Sequence, residues 1–91
     1  MSEKGNGMET KRYRVCLVVW RDKNNTDTEY LKDFEYQLSA IDWASNTHIR
    51  QNLLQKSLWY DNVAIRVDID VEEWGSDDNI KVIWTSKLWE N

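Results

Sequence analysis

The chain has 91 residues, a formal net charge of −4, 41% hydrophobic and 31% charged residues, and six tryptophans. This is the composition of one globular domain, and it excludes both a disordered polyelectrolyte and a two-domain enzyme with a large interdomain cleft. No apolar run approaches the roughly 18 residues that cross a membrane, and the start MSEKGNGMETKR lacks the hydrophobic segment of a secretion signal. The expected location is therefore the cytosol, in agreement with the single cysteine, Cys16.

Residues 1–11 are polar, contain Gly5 and Gly7 and show no periodicity, so a disordered tail is expected there, followed by a single α+β domain over 12–91. Arg12 to Arg21 reads as a strand. Tyr13, Val15, Leu17 and Val19 point one way and Arg14, Cys16, Val18 and Trp20 the other. Because both faces are largely apolar, the strand is expected at the centre of a sheet, covered on each side by its own chain or by a partner. Arg21 to Thr26 is a loop by composition. Thr26 and Glu29 then fit a capping box, which predicts a helix from about Asp27 carrying Leu31, Phe34, Leu38 and Ile41 on one face. Phe34, Tyr36, Leu38 and Ala40 also alternate with polar neighbours, so a strand competes for this piece. The helix is preferred because the capping box is a second, independent signal.

Ala44-Ser45-Asn46-Thr47 combines stop and cap chemistry, and Ile49, Leu53, Leu54 and Leu58 follow at helical spacing, predicting a helix over Thr47 to Tyr60. The clearest pattern in the chain comes next. Val63, Ile65, Val67, Ile69 and Val71 alternate with Ala64, Arg66, Asp68, Asp70 and Glu72, as in a strand with one dry and one wet face. Turn residues over Glu73 to Asn79 and a second apolar series, Ile80, Val82, Trp84 and Leu88, complete a β-hairpin. The expected fold is a small, mainly antiparallel sheet of three or four strands with one or two helices packed on one face, in the order β-α-α-β-β or β-β-α-β-β.

Little in this chain points to catalysis. A nucleophile needs a base within reach, and the only pair on offer is Cys16 with His48, the first inside an apolar strand and the second in the first turn of a helix. Gly5, Gly7 and Gly75 form no phosphate-binding loop. Asp68, Asp70 and Glu72 at two-residue spacing would form a row on a strand, not a cage, so any divalent-cation site there is incidental and weak. No enzyme activity, cofactor or metal is expected.

The tryptophans and the charge distribution point to binding. Between Val63 and Asn79, six acids stand against Arg66 alone, while Lys11, Arg12, Arg14, Arg21 and Lys23 bracket the first strand. A domain this small cannot easily bury Trp20, Trp43, Trp59, Trp74, Trp84 and Trp89 together. Tryptophan is enriched at interface hot spots. The bland alternative places Trp43, Trp59 and Trp84 in the core, Trp20 over the back of the sheet and Trp89 against the terminus. The reading favoured here is a non-enzymatic protein-binding module. Its apolar patch joins Trp20, Ile83 and Trp89 on the sheet face opposite Val67, Trp74 stands at the hairpin tip, and the rim is the solvated acids Asp68, Asp70, Glu72, Glu73, Asp77 and Asp78. The expected partner is a protein with a basic surface, or a second copy of the chain. One form of this is a small inhibitor that occupies a nucleic-acid-binding groove, of the kind encoded by phages. The second class is a single-stranded nucleic-acid binder using Arg12, Arg14, Trp20, Arg21 and Lys23, disfavoured by the acidic balance of the chain.

Overall fold

The computed structural model describes residues 11–60, 62–75 and 79–91. Two hairpins flank a helical pair: β1 (Arg12–Trp20), β2 (Thr26–Phe34), α1 (Gln37–Ser45), α2 (Thr47–Ser57), a 3₁₀ turn (Leu58–Tyr60), β3 (Arg66–Trp74) and β4 (Ile80–Glu90). The strands form one antiparallel sheet in the order β2-β1-β3-β4. This is the expected α+β class, with an order that combines the two alternatives: a second strand and both helices are present.

The main departure is β2. A helix was expected from Asp27, yet Thr26 to Phe34 pairs along β1 from Trp20↔Thr26 to Tyr13↔Phe34. The competing strand over Phe34 to Ala40 is also displaced, because Gln37 begins α1. The physical reason lies in β1, whose N–H and C=O groups point to both sides and must all be paired once the strand is central. β3 satisfies one edge only. A capping box contributes about 1 kcal/mol, far less than a full ladder and the burial it permits. The turn is local: Asp22 accepts from the Asn24 amide at 2.8 Å and from Asn25 Nδ2 at 2.6 Å, and the Arg21 amide donates to the Asn25 carbonyl at 2.8 Å. The bonds from Asn24 and Asn25 hold the exposed Asp22 carboxyl below its ordinary value. Glu29, freed from capping, forms an ion pair with Lys56 of α2.

The helices cover one face of the sheet. Ala40 and Ala44 of α1 and Leu53 of α2 pack with Val15, Leu17 and Val19 of β1 and Val67, Ile69 and Val71 of β3. Small alanines let α1 approach the sheet closely, and each buried branched residue contributes roughly 1.5–3 kcal/mol. Phe34, Trp43, Ile83, Trp84, Leu88 and Trp89 close the edges of this core. Asn46 caps α2 as its sequence suggests, accepting from the amides of His48 at 2.9 Å and Ile49 at 3.2 Å.

Two limits of the β3 alternation are set by the turn that precedes it. Val63 and Ile65 were expected on the dry face with Val67, but the strand begins at Arg66 and both are about half exposed. The amides of Val63 and Ala64 donate to the Tyr60 carbonyl, and in this turn it is Ala64, expected on the other face, that joins the core while Val63 and Ile65 face out. Residues 1–10, where the tail was expected, lie outside the described residues.

Candidate functional site: the open face of the sheet

With both helices on one side, no described element covers the other side of the sheet. Strand pairing determines which residues lie there. Across β1 and β3 the pairs are Arg12↔Trp74, Arg14↔Glu72, Cys16↔Asp70, Val18↔Asp68 and Trp20↔Arg66. β2 adds Asp33, Tyr30 and Thr28 beside Arg14, Cys16 and Val18, and β4 adds Ile80, Val82, Thr85, Lys87 and Glu90.

Two of the expected patch residues are elsewhere. Trp89 pairs with Val67 and packs on the helix side, where its Nε1 donates to Ser57 Oγ at 2.7 Å. Ile83 also packs against the core. Ile80 and Val82, expected in the apolar series, stand opposite Trp74 and Glu72 on the open face, so β4 starts in the opposite phase and Ile83 and Trp89 fall on the helix side. The register shifts between Val67 and Asp68 and between Val71 and Glu72 bring Trp84 to that side as well. Simple alternation cannot show such a shift. Glu73 belongs to the helix side as well, paired with Tyr13 and 3.8 Å from Lys11 Nζ. Asp77 and Asp78 lie outside the described residues. Trp59, expected in the core by the bland reading, is 87% exposed on the 3₁₀ turn.

The row of solvated acids is also revised. Asp68 is only 4% exposed, accepting from Trp20 Nε1 at 3.1 Å and from Arg66 Nε at 2.7 Å, with the Arg66 guanidinium 5.7 Å from the centre of the Trp20 ring. Asp70 and Glu72 are half-buried. The reason is that the neighbouring strands carry large side chains on this face, so a carboxylate in the middle of the sheet lies beneath Trp and Arg instead of facing water.

A second cluster occupies the opposite end of the same face. Arg14 stacks against two rings, 4.3 Å from the centre of Trp74 and 5.0 Å from that of Tyr30, and the two rings meet edge to face at 6.3 Å. Its Nε lies 3.0 Å from Asp33, while Trp74 Nε1 donates to Glu72 at 3.1 Å. Tyr30 had no place among the expected site residues because the helix assigned to its segment hid the face it occupies. Its alternation with Thr26 and Thr28 is the signal that would have found it.

Between the clusters lie Cys16 and Val18, both buried, and Asp70, which accepts from Thr85 Oγ1. Burial first, then the charge and hydrogen bond of Glu72, push the Cys16 thiol up to about 12. This thiol is a core group and no nucleophile: native protein at about pH 8 should resist thiol-specific reagents, with full labelling only in strong denaturant. Rapid labelling of folded protein would contradict this burial. His48, exposed at the start of α2, lies on a different element. Among the described residues no group of three or more His, Cys, Asp or Glu could hold a metal, and no helix is long and apolar enough to cross a membrane.

Burial also raises the Asp70 carboxyl above its ordinary 3.8, opposed by the Thr85 hydroxyl and reinforced by the charges of Asp68 and Glu72. A carboxyl raised in the folded state favours folding while protonated, and that contribution is lost as pH rises through the folded value. Asp70→Asn should therefore gain stability relative to the parent as pH rises from about 4 to 7, with little difference at the acid end. Thermal melts across this range test the sign, and a gain confined to low pH would reverse it.

No family model, curated protein or solved structure matches the chain.

Proposed function

We propose that this chain is a non-enzymatic protein-binding module and that the open face of its sheet receives the partner. The observation that carries this reading is the one-sided cover of a sheet whose central strand is apolar on both faces: Val15, Leu17 and Val19 lie under the helices, while Cys16 and Val18 lie on the side without a described layer. Trp20, Trp74, Tyr30 and Arg14 on that side belong to the residue types that dominate interface energetics. They are held in place by ring stacking and hydrogen bonds, so little side-chain entropy would be lost on docking. A reducing, cytosolic setting suits Cys16, which is free and buried.

Binding of single-stranded nucleic acid is less well supported. Arg14 and Arg12 are directed to Asp33, and Arg21 is paired with Asp27. The Trp20 ring that would receive a base already carries Arg66, and the Trp74 and Tyr30 rings carry Arg14. The inhibitor form of the proposal, in which acids imitate a phosphate row, has to do without Asp68, which Arg66 and Trp20 enclose.

Affinity purification with the full chain, compared with Trp74→Ala/Val82→Asp on the open face and Trp59→Ala away from it, tests the proposal. A protein recovered in stoichiometric amount, lost with the face variant and kept with Trp59→Ala, is the expected result. Oligonucleotide binding that weakens steeply with salt and disappears in Arg14→Gln would overturn it in favour of the nucleic-acid reading.

A further inference from the structure

The charges on the open face are unevenly satisfied. Among the described residues, the cations carried by its strands have partners within the chain: Arg12 and Arg14 reach Asp33 at 3.9 and 3.0 Å, Arg66 reaches Asp68 at 2.7 Å, and Lys87 reaches Glu90 at 2.9 Å. Asp70 and Glu72 are different. Arg14 stands opposite Glu72 in the ladder, yet its guanidinium turns toward Asp33. Among the described residues, no cation lies within ion-pair distance of either Asp70 or Glu72. Their polar partners are neutral: the Thr85 hydroxyl for Asp70 and the Trp74 indole for Glu72.

We infer that the occupant of this face is a protein surface that presents one arginine or lysine, set among apolar side chains, to Asp70 and Glu72. The inference rests on the proposed protein-binding function and names the chemistry of the partner. Covering the face removes water from two half-buried carboxylates, and without a counter-charge that desolvation opposes docking. A cation delivered by the partner offsets it and sets the register, while a partner without one is rejected. The surroundings suit the stem of such a side chain: the half-exposed Val82 lies opposite Glu72, and Trp74 borders the site.

Other occupants fit less well. A second copy docking through the same face would bring the paired cations Arg12, Arg14, Arg66 and Lys87 and a second Asp70 and Glu72. A nucleic acid would bring phosphates toward the same carboxylates. Strand addition at the sheet edges is opposed by the edges themselves: β2 carries Asp27, Glu29, Lys32 and Asp33 and a register shift beside Val15/Cys16, and the β3–β4 ladder is shifted twice.

A displayed library of strand-length random peptides, selected against the full chain and against Asp70→Asn/Glu72→Gln, tests this inference, with light scattering of the unliganded protein alongside. Peptides enriched on the parent should carry an arginine or lysine flanked by apolar residues. They should shift the NMR signals of Trp74, Val18 and Val82, and bind the double variant at least about ten-fold more weakly. Both proteins should show the same near-native dispersion. Peptides that map to this face but lack a cation and bind both proteins equally would overturn the inference and leave the binding function standing. Selection of peptides that map elsewhere, or of none, would count against both. A dimer that buries Trp74 and Val82 in the absence of peptide would replace the cationic partner with a second copy.

Discussion

Val67→Asp should abolish the cooperative fold, whereas Ile65→Asp, two residues earlier in the same alternation, should leave the melting temperature near that of the parent. Val67 is fully buried between β1 and β4, paired with Val19 and Trp89 and packed under the helices. The substitution removes roughly 1.5–3 kcal/mol of apolar transfer energy and places a carboxylate where its effective desolvation is several kcal/mol more. Domains of this size are stable by about 5–15 kcal/mol, so the loss consumes most or all of the margin. Ile65 is about half exposed in the turn before β3 and stays hydrated in either form. Circular dichroism melts of the two variants decide the matter. A cooperative transition for Val67→Asp near the parent temperature would mean that this face of β3 is not the core.

Asp68→Ala should cost about 2–3 kcal/mol, or a fall of about 10–20 °C in melting temperature. A solvated acid on a strand would be worth less than about 0.5 kcal/mol on removal. The difference arises because Asp68 is the common acceptor of Trp20 Nε1 and Arg66 Nε, and its loss leaves an indole N–H and a guanidinium without their partner on the sheet face. Asp68→Asn keeps an acceptor for the indole and should fall in between. A double-mutant cycle with Trp20→Phe should show coupling, since the two residues share one bond. Additivity of the two changes, or an Asp68→Ala melt within a few degrees of the parent, would show that the acid is solvated after all.

These two residues mark the limits of what alternation alone conveys. It placed Val67, Ile69 and Val71 together on the core face and Asp68, Asp70 and Glu72 on the other, and both assignments hold in the ladder. What it could not convey is whether the second face is wet. That depends on the cross-strand neighbours, Trp20, Arg14, Tyr30 and Trp74, three of which come from strands distant in sequence from the acids they cover. A charged residue is taken for solvent-facing only because its neighbours are unknown.

The helical pair shows the same division. Asn46 with the amides of His48 and Ile49 is a local device, and α2 follows from it within the range its spacing suggests. Thr26 and Glu29 form an equally local signal, yet that segment is a strand because β1 has a second edge to satisfy. Where a local signal of about 1 kcal/mol competes with a full ladder, the ladder prevails.

By itself, the sequence determined the class of the fold, the position of β1 at the centre of the sheet, the α2 cap and the inward face of β3, because each rests on periodicity or on a contact within a few residues. Only the tertiary structure decided that Thr26 to Phe34 joins the sheet, that β4 begins with Ile80 and Val82 on the open face and so turns Ile83 and Trp89 toward the helices, and that Trp20 and Trp74 share an open face with half-buried acids. Each of these is a long-range pairing, fixed by which backbone groups find partners and which side chains meet across strands.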